Sequence, residues 1–224
     1  MRCCAPVIES WAEMAHPSAT SDPSSSLTAK GRQTREAIEL AARKLFAERG
    51  FHGTTLADIT SAAGKSAAVF YRYFDDKEDL LASLAQSFLH DIVEPSGTKV
   101  PLPDSPADTD YFHTVVTGYW NLFKRNIGIM IAVAQLAATQ PRFAKVQYEF
   151  RRFGMDLVAE SVRRAREQGY AQDLEPEHIA AAIALLFENF TVVVVGNPGT
   201  ALQISDDDAI TTLSTIWKKT LYGN

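Results

Sequence analysis

The chain has 224 residues, 46% of them hydrophobic, enough for one large domain or two modest ones with proper cores. Its net charge of −5 argues against uniform binding to polyanions, and two adjacent cysteines, Cys3 and Cys4, exclude a disulfide framework and fit a reducing cytoplasm. The start has no basic-then-apolar leader pattern, since Glu9 and Glu13 interrupt it, and the longest apolar run, Ile179 to Phe187, is short of the ~20 residues a bilayer needs.

In chain order, residues 1–29 are rich in Ser, Pro, Ala and Thr without a sustained period and read as a disordered tail. Lys30, Arg32 and Arg35 at its junction with the first helix are placed to track a DNA backbone or minor groove. A helix is predicted over 35–49, with Ile38, Ala42, Leu45 and Phe46 on one face. Gly50 ends it, and Phe51 folds back on that face. Thr55 then caps a short helix carrying Leu56, Ile59 and Ala63, and Gly64 breaks it. Ser66 caps a second short helix with Phe70 and Phe74 on one side. Two short helices joined by a glycine turn form a helix-turn-helix. A fourth helix starts among Asp75, Asp76, Glu78 and Asp79, acids that suit the positive end of its dipole, and runs through Leu80, Leu81, Leu84, Phe88 and Ile92.

Pro95, Gly97, Pro101, Pro103 and Pro106 make 94–108 a long loop. The expected head is residues 30–76 and the expected body residues 77–224, with the fourth helix, before the loop, packing on both. Five more helices are predicted, at 108–125, 127–139, 142–169, 176–196 and 206–222. No segment alternates strictly, so the expected fold is all-α, with about nine helices and no sheet. Charge is distributed to match: between Lys30 and Tyr73, eight Lys/Arg face four acids, which leaves −9 for the remainder. A basic head on an acidic body attracts phosphates at one face and keeps non-specific binding low.

The stretch Thr54, Thr55, Ile59, Ala63, Gly64, Ser66, Phe70, Tyr71, Tyr73, Phe74, Lys77, Glu78 and Leu80 resembles the TetR (tetracycline-repressor-like) family of transcriptional regulators. The resemblance spans roughly Thr34 to Leu81. It implies that the second short helix lies in the major groove and that a dimer reads a pseudo-palindrome in double-stranded DNA. By position, Thr55, Tyr71, Tyr73 and Lys77 resemble phosphate contacts, with Thr54 counted beside them. Lys65, Ser66, Ala67, Ala68, Val69 and Arg72 occupy base-reading positions. Where family members often carry polar or basic residues, this chain has Ala57, Ala67 and Val69. Polar readout then falls on Lys65, Ser66 and Arg72, and small apolar groups touch thymine methyls or follow DNA shape.

The resemblance also implies an effector pocket in the body. Tyr119, Trp120, Phe123, Met130, Phe150, Phe153 and Phe187 are the expected apolar lining, suited to a small hydrophobic molecule. His113, Gln135 and Asn189 are the expected orienting groups. The last two helices carry Ile183, Phe187, Phe190, Ile210, Leu213, Trp217 and Leu221, which either pair with a second subunit or pack inside one; the expectation is pairing, as a homodimer. No hydrolase, zinc, phosphate-loop or dinucleotide motif is present, so neither an enzyme nor a metal or other cofactor is expected. The expected function is a cytoplasmic, ligand-responsive transcriptional regulator, a repressor released by a small hydrophobic effector; an activator or architectural DNA-binding protein of the same fold without a small-molecule effector is the alternative.

Overall fold

The fold is that of a computed structural model, which describes residues 27–93, 102–103, 105–196 and 202–223. The predicted tail up to residue 26, with Cys3 and Cys4, and most of the 94–108 loop lie outside them. The described residues form nine helices and no strand: α1 Ala29–Arg49, α2 Leu56–Ala62, α3 Ala67–Phe70, α4 Lys77–Val93, α5 Thr109–Arg125, α6 Ile127–Ala137, α7 Pro141–Glu167, α8 Pro176–Gly196 and α9 Asp206–Tyr222.

Two elements differ from the sequence reading. α1 begins six residues before Arg35, because Thr28 caps it: its hydroxyl accepts from the Gly31 N–H at 3.2 Å. The added turns are mostly exposed and polar, so hydrophobic periodicity carries no signal there. α3 is only four residues long, and Phe74 sits beyond its end, after a turn in which the Tyr73 N–H donates to Phe70 O at 2.9 Å. Phe74 is nevertheless buried against Phe70.

The head is built on Ile38, Leu45, Phe46, Ile59 and Phe70, against which Leu80 and Leu84 of α4 pack, all buried. Its core continues into the body through Phe88, Phe123, Phe143 and Phe150. The joint is close. A Cβ on Gly128 of α6 would lie 2.5 Å from the Ala47 nitrogen of α1, so only glycine lets these backbones meet. Beside it Arg43 Nη1 donates to Asn126 Oδ1 at 2.6 Å, and Arg142 and Gln140 both donate to Glu78 Oε2, at 2.8 and 3.0 Å.

A second core lies farther into the body, around Phe112, Trp120, Val162, Ile183, Leu213 and Trp217. It overturns the predicted dimer stripe. Ile210, Leu213, Trp217 and Leu221 are buried within the single chain, where α9 packs on α5. Trp217 Nε1 donates to Ser161 Oγ of α7 at 3.1 Å, so the indole is held on both polar and apolar sides. Ile183 and Phe187 of α8 are buried too, and of the expected set only Phe190 is half-exposed. Other α8 side chains face solvent: Leu185, Leu186 and Val193 are 41%, 40% and 37% exposed. By length and composition alone, α8 is apolar enough to cross a membrane, beyond what its longest unbroken run implied.

Candidate nucleic-acid interface and body cavity

α2 starts with a reciprocal cap. The Thr55 hydroxyl accepts from the Asp58 N–H at 3.1 Å, and Asp58 Oδ2 accepts from the Thr55 N–H at 2.9 Å. These bonds, the Thr55 hydroxyl's own donation first, hold the Asp58 carboxyl below the usual carboxylate range, with Arg49 adding to the effect. The turn after α2 closes through Gly64 at φ +63°, where the Lys65 N–H donates to Thr60 O at 2.9 Å and the Gly64 N–H to Ser61 O at 3.0 Å. Ser66 restarts the chain as α3 by accepting from the Val69 N–H at 3.3 Å. The two short helices are thereby set at a fixed angle by local bonds and by the buried rings of Phe70 and Phe74.

Around α3 the outward groups are Ser66, Ala67, Ala68, Tyr71 and Arg72, with Lys65 and Val69 half-buried. Tyr71 is 59% exposed, its ring edge-on to Phe70. Lys65 and Arg72 have no ion-pair or hydrogen-bond partner for their side chains among the described residues, so their donors face solvent. Tyr73 is half-buried against the head core.

Three residues do not stand as the sequence placed them. Thr54 is fully buried, and its hydroxyl donates to Gly50 O at 2.8 Å, so its side chain ties the α1–α2 connection and cannot reach DNA. Lys77 directs its ammonium inward, to Phe51 O and Thr54 O at 2.7 Å each, over the Phe51 ring at 4.2 Å. Two of its three donors are engaged, and burial pulls its pKa down. Arg35, expected to track the DNA backbone, donates to Glu39 and to Ser83 of α4 and lies over the Phe74 ring.

In the body, α5, α6, α7 and α8 enclose a cavity of about 500 Å³. Tyr119, Phe123, Met130, Phe150, Phe153 and Phe187 line it, as the sequence suggested. Trp120 does not. It is buried outside the cavity, and its Nε1 donates to Asp206 Oδ1 at 3.0 Å, where Lys124 also binds. The three expected orienting groups are all exposed and outside it: Asn189 bonds Leu185 O on its own helix, His113 faces Thr117, and Gln135 lies on the outer side of α6.

The polar lining comes instead from residues the sequence reading missed. Glu188 of α8 accepts from Arg151 Nε and Nη2 at 2.7 and 2.9 Å and from Gln147 at 3.4 Å. These bonds keep the Arg151 guanidinium charged. Tyr119 Oη shares a 2.9 Å hydrogen bond with Thr191, and burial pushes the phenol far above its ordinary range, so it stays neutral. The available signal was the helical period: Gln147, Phe150, Arg151 and Gly154 fall at i, i+3, i+4 and i+7.

Fold and site together define a helix-turn-helix DNA-binding protein with a ligand-sized cavity in its body. Residues 38–84 match the family described as bacterial regulatory proteins, tetR family, and residues 112–223 match the C-terminal domain of the transcriptional regulator EthR. The chain belongs to the TetR family, and it is a DNA-binding transcriptional regulator rather than an enzyme. It is 28% identical over 191 residues to the HTH-type transcriptional regulator EthR of Mycobacterium tuberculosis, covering 84% of this chain and 86% of that one. The HTH-type transcriptional repressor KstR2 of Rhodococcus jostii is 37% identical over 73 residues, and the match spans about a third of each chain, 33% and 35%. Among solved structures, a transcriptional regulator from Saccharomonospora viridis in complex with choline has a TM-score of 0.64 at 18% identity, over 84% of this chain and 96% of that one. PfmR from Thermus thermophilus gives 0.62 at 21%, over 83% and 96%. These two share the fold.

Proposed function

We propose that the protein is a ligand-responsive repressor that binds a pseudo-palindromic operator as a homodimer in the cytoplasm and is released by a small hydrophobic effector. Residues 1–29 are then a tail, 30–76 the reading head and 77–224 the sensing and dimerising body. The observation that carries this reading is one continuous apolar core linking the cavity to the head. Phe88 of α4 packs on Phe123 and Phe150, two cavity walls, with ring centroids 5.4 and 5.0 Å apart. α6 presents Met130 and Val133 to the cavity and Gly128 to α1. An effector that fits one arrangement of these helices better than another shifts the separation of two heads in a dimer; equal affinity for both shifts nothing. The repressor KstR2 and the regulator EthR among its relatives, and the choline held by a structural neighbour, support the class.

Tyr71, Thr55 and Tyr73 serve as phosphate contacts, while Lys65, Ser66, Ala67, Ala68, Val69 and Arg72 read bases. Lys77 contributes at most its third donor. Dimerisation uses the exposed arc of α8, namely Ala182, Leu185, Leu186, Asn189 and Val193, together with Ile216 of α9, which is 37% exposed. An apolar helix with an uncovered arc needs a partner surface, and a second copy supplies it. The test is to sequence the DNA that the purified protein selects from a genomic pool, then to titrate candidate ligands into the complex. A two-fold-related site released by a tight-binding ligand is expected. A selected site whose affinity no bound ligand changes would leave the architectural or activator reading.

A further inference from the structure

The cavity is charged at one end only. Phe112 of α5 and Ser161 of α7 both touch Trp217, whereas Phe123 and Phe150 both touch Phe88, so α5 and α7 run antiparallel along its length. The α5 stripe from Thr114 to Arg125 lines it, a span of about 16 Å at ~1.5 Å per residue. Toward Trp217 the wall is Val116, Val158 and Ile183, with no charge. Toward the other end lie Gln147, Arg151, Glu188 and Arg125, and the last three are the charged residues among those lining the cavity.

Two guanidinium groups against one carboxylate give that end an excess of one positive charge. Glu188 is saturated by Arg151 and Gln147, and it leaves the Nη1 edge of Arg151 free of Glu188. Arg125 has no ion-pair or hydrogen-bond partner among the described residues. Complementing the α5 dipole would account for a cation in the last turn, but Lys124 already stands there, bonded to Asp206 at 2.6 Å.

We infer that the effector is an amphipathic monoanion, an extended apolar chain ending in a carboxylate, with its head at Arg125 and its tail toward Trp217. This rests on the reading of the cavity as the effector site. A guanidinium fork matches a carboxylate in geometry and charge, whereas the far end, where the Thr114 hydroxyl is the polar lining group, offers no charge to a second ionised terminus. A quaternary ammonium of the same length would meet the excess positive charge.

The experiment is calorimetric titration of the full chain with decanoate, its methyl ester, decanol and decyltrimethylammonium, at neutral pH and fixed salt. Decanoate should bind tightest. Replacing Arg125 with glutamine (Arg125→Gln) should weaken decanoate by roughly three- to tenfold and leave the ester unchanged, because the half-solvated ion pair is the only contact removed. Arg125 is exposed, so an unchanged helical spectrum and melting midpoint are expected for the variant. Equal affinity for acid and ester, preference for the ammonium, or an unaltered acid affinity in Arg125→Gln would overturn the anion assignment while keeping the cavity as an effector site. Binding of none of the four would overturn the effector-site reading itself.

Discussion

Head and body are both helical, yet their polar side chains are used in opposite ways. In the head, local bonds fix the turns, and Lys65, Tyr71 and Arg72 face outward. In the body three ion pairs join one helix to another, Arg151–Glu188, Lys124–Asp206 and Arg163–Glu177. A surface that reads a partner keeps donors available; a body that holds a cavity open uses its charges to brace the walls. The apolar residues divide likewise. The buried ones of the head serve one core, while α8 and α9 serve a core on one face and present Leu185, Leu186, Val193 and Ile216 on the other.

The largest expected effect tests that division inside the body. Trp217 is 2% exposed and bridges α9 to α5 and α7, so Trp217→Ala should cost about 3–5 kcal/mol in denaturant unfolding. Leu186→Asp, on the outward arc, should instead leave the protomer folded and shift light scattering from dimer to monomer. A Trp217→Ala protein that dissociates without losing protomer stability would restore the interface to the inner stripe.

The joint between the two regions comes next. Gly128→Ala places a methyl 2.5 Å from the Ala47 nitrogen and 2.6 Å from the Phe46 carbonyl carbon, so α1 and α6 must separate. Overpacking of this kind costs typically 1–3 kcal/mol, read as a lower melting midpoint. Operator affinity should change as well, because the head is displaced relative to the body. A variant that melts as the native chain does and binds DNA equally would show that the joint has slack.

Much of this was legible in sequence, unevenly. The head was readable because a capping box, a positive-φ glycine and a second cap fall at fixed spacing, and each residue's role is set by its neighbours in the chain. Thr54 and Lys77 were misplaced because both turn inward to carbonyls of the α1–α2 connection, Thr54 to Gly50 four residues back and Lys77 to Phe51 and Thr54 from more than twenty residues away. In the body, helix positions followed from periodicity, and six of the cavity's aromatic and Met walls from what the family resemblance implied for an aromatic, Met-rich body. Periodicity marks that a face is apolar but not what covers it, so the inner stripe of α9 was taken for an interface. Polar residues were sought as isolated His, Gln and Asn, whereas the cavity is lined by an ion pair whose partners lie on different helices.

A smaller effect separates base reading from phosphate contact within the head. Arg72→Ala should weaken operator binding by about 1–3 kcal/mol and random DNA little, if the guanidinium pairs with a guanine. Tyr71→Phe should weaken both alike. Competition binding at two salt concentrations distinguishes them, and equal losses for Arg72→Ala on both DNAs would make it a phosphate clamp, leaving specificity to Lys65, Ser66 and DNA shape.

The smallest expected effect compares two carboxylates, one in each region. Asp58 is held below the ordinary carboxylate range by Thr55 in its own helix cap, Asp206 by Lys124 and Trp120 of another helix. Both folded pKa values are depressed, so the stabilisation each gives is present above the unfolded value of about 3.9 and is lost as pH falls through the folded value. Asp58→Asn should therefore flatten the acid limb of the melting curve slightly, with the change confined to protection of the Thr55 and Asp58 amides in hydrogen exchange. Asp206→Asn should flatten the same limb while loosening the contact between α5 and the start of α9, seen as faster exchange in both helices. The difference follows from where the partners lie: losing a bond within one turn frays that turn, whereas losing a bond between helices releases both. If acid destabilises the Asp58→Asn protein as steeply as the native chain, the cap carries no pH-dependent stability, and the angle of the reading helix rests on the Gly64 turn, the Ser66 cap and the rings of Phe70 and Phe74.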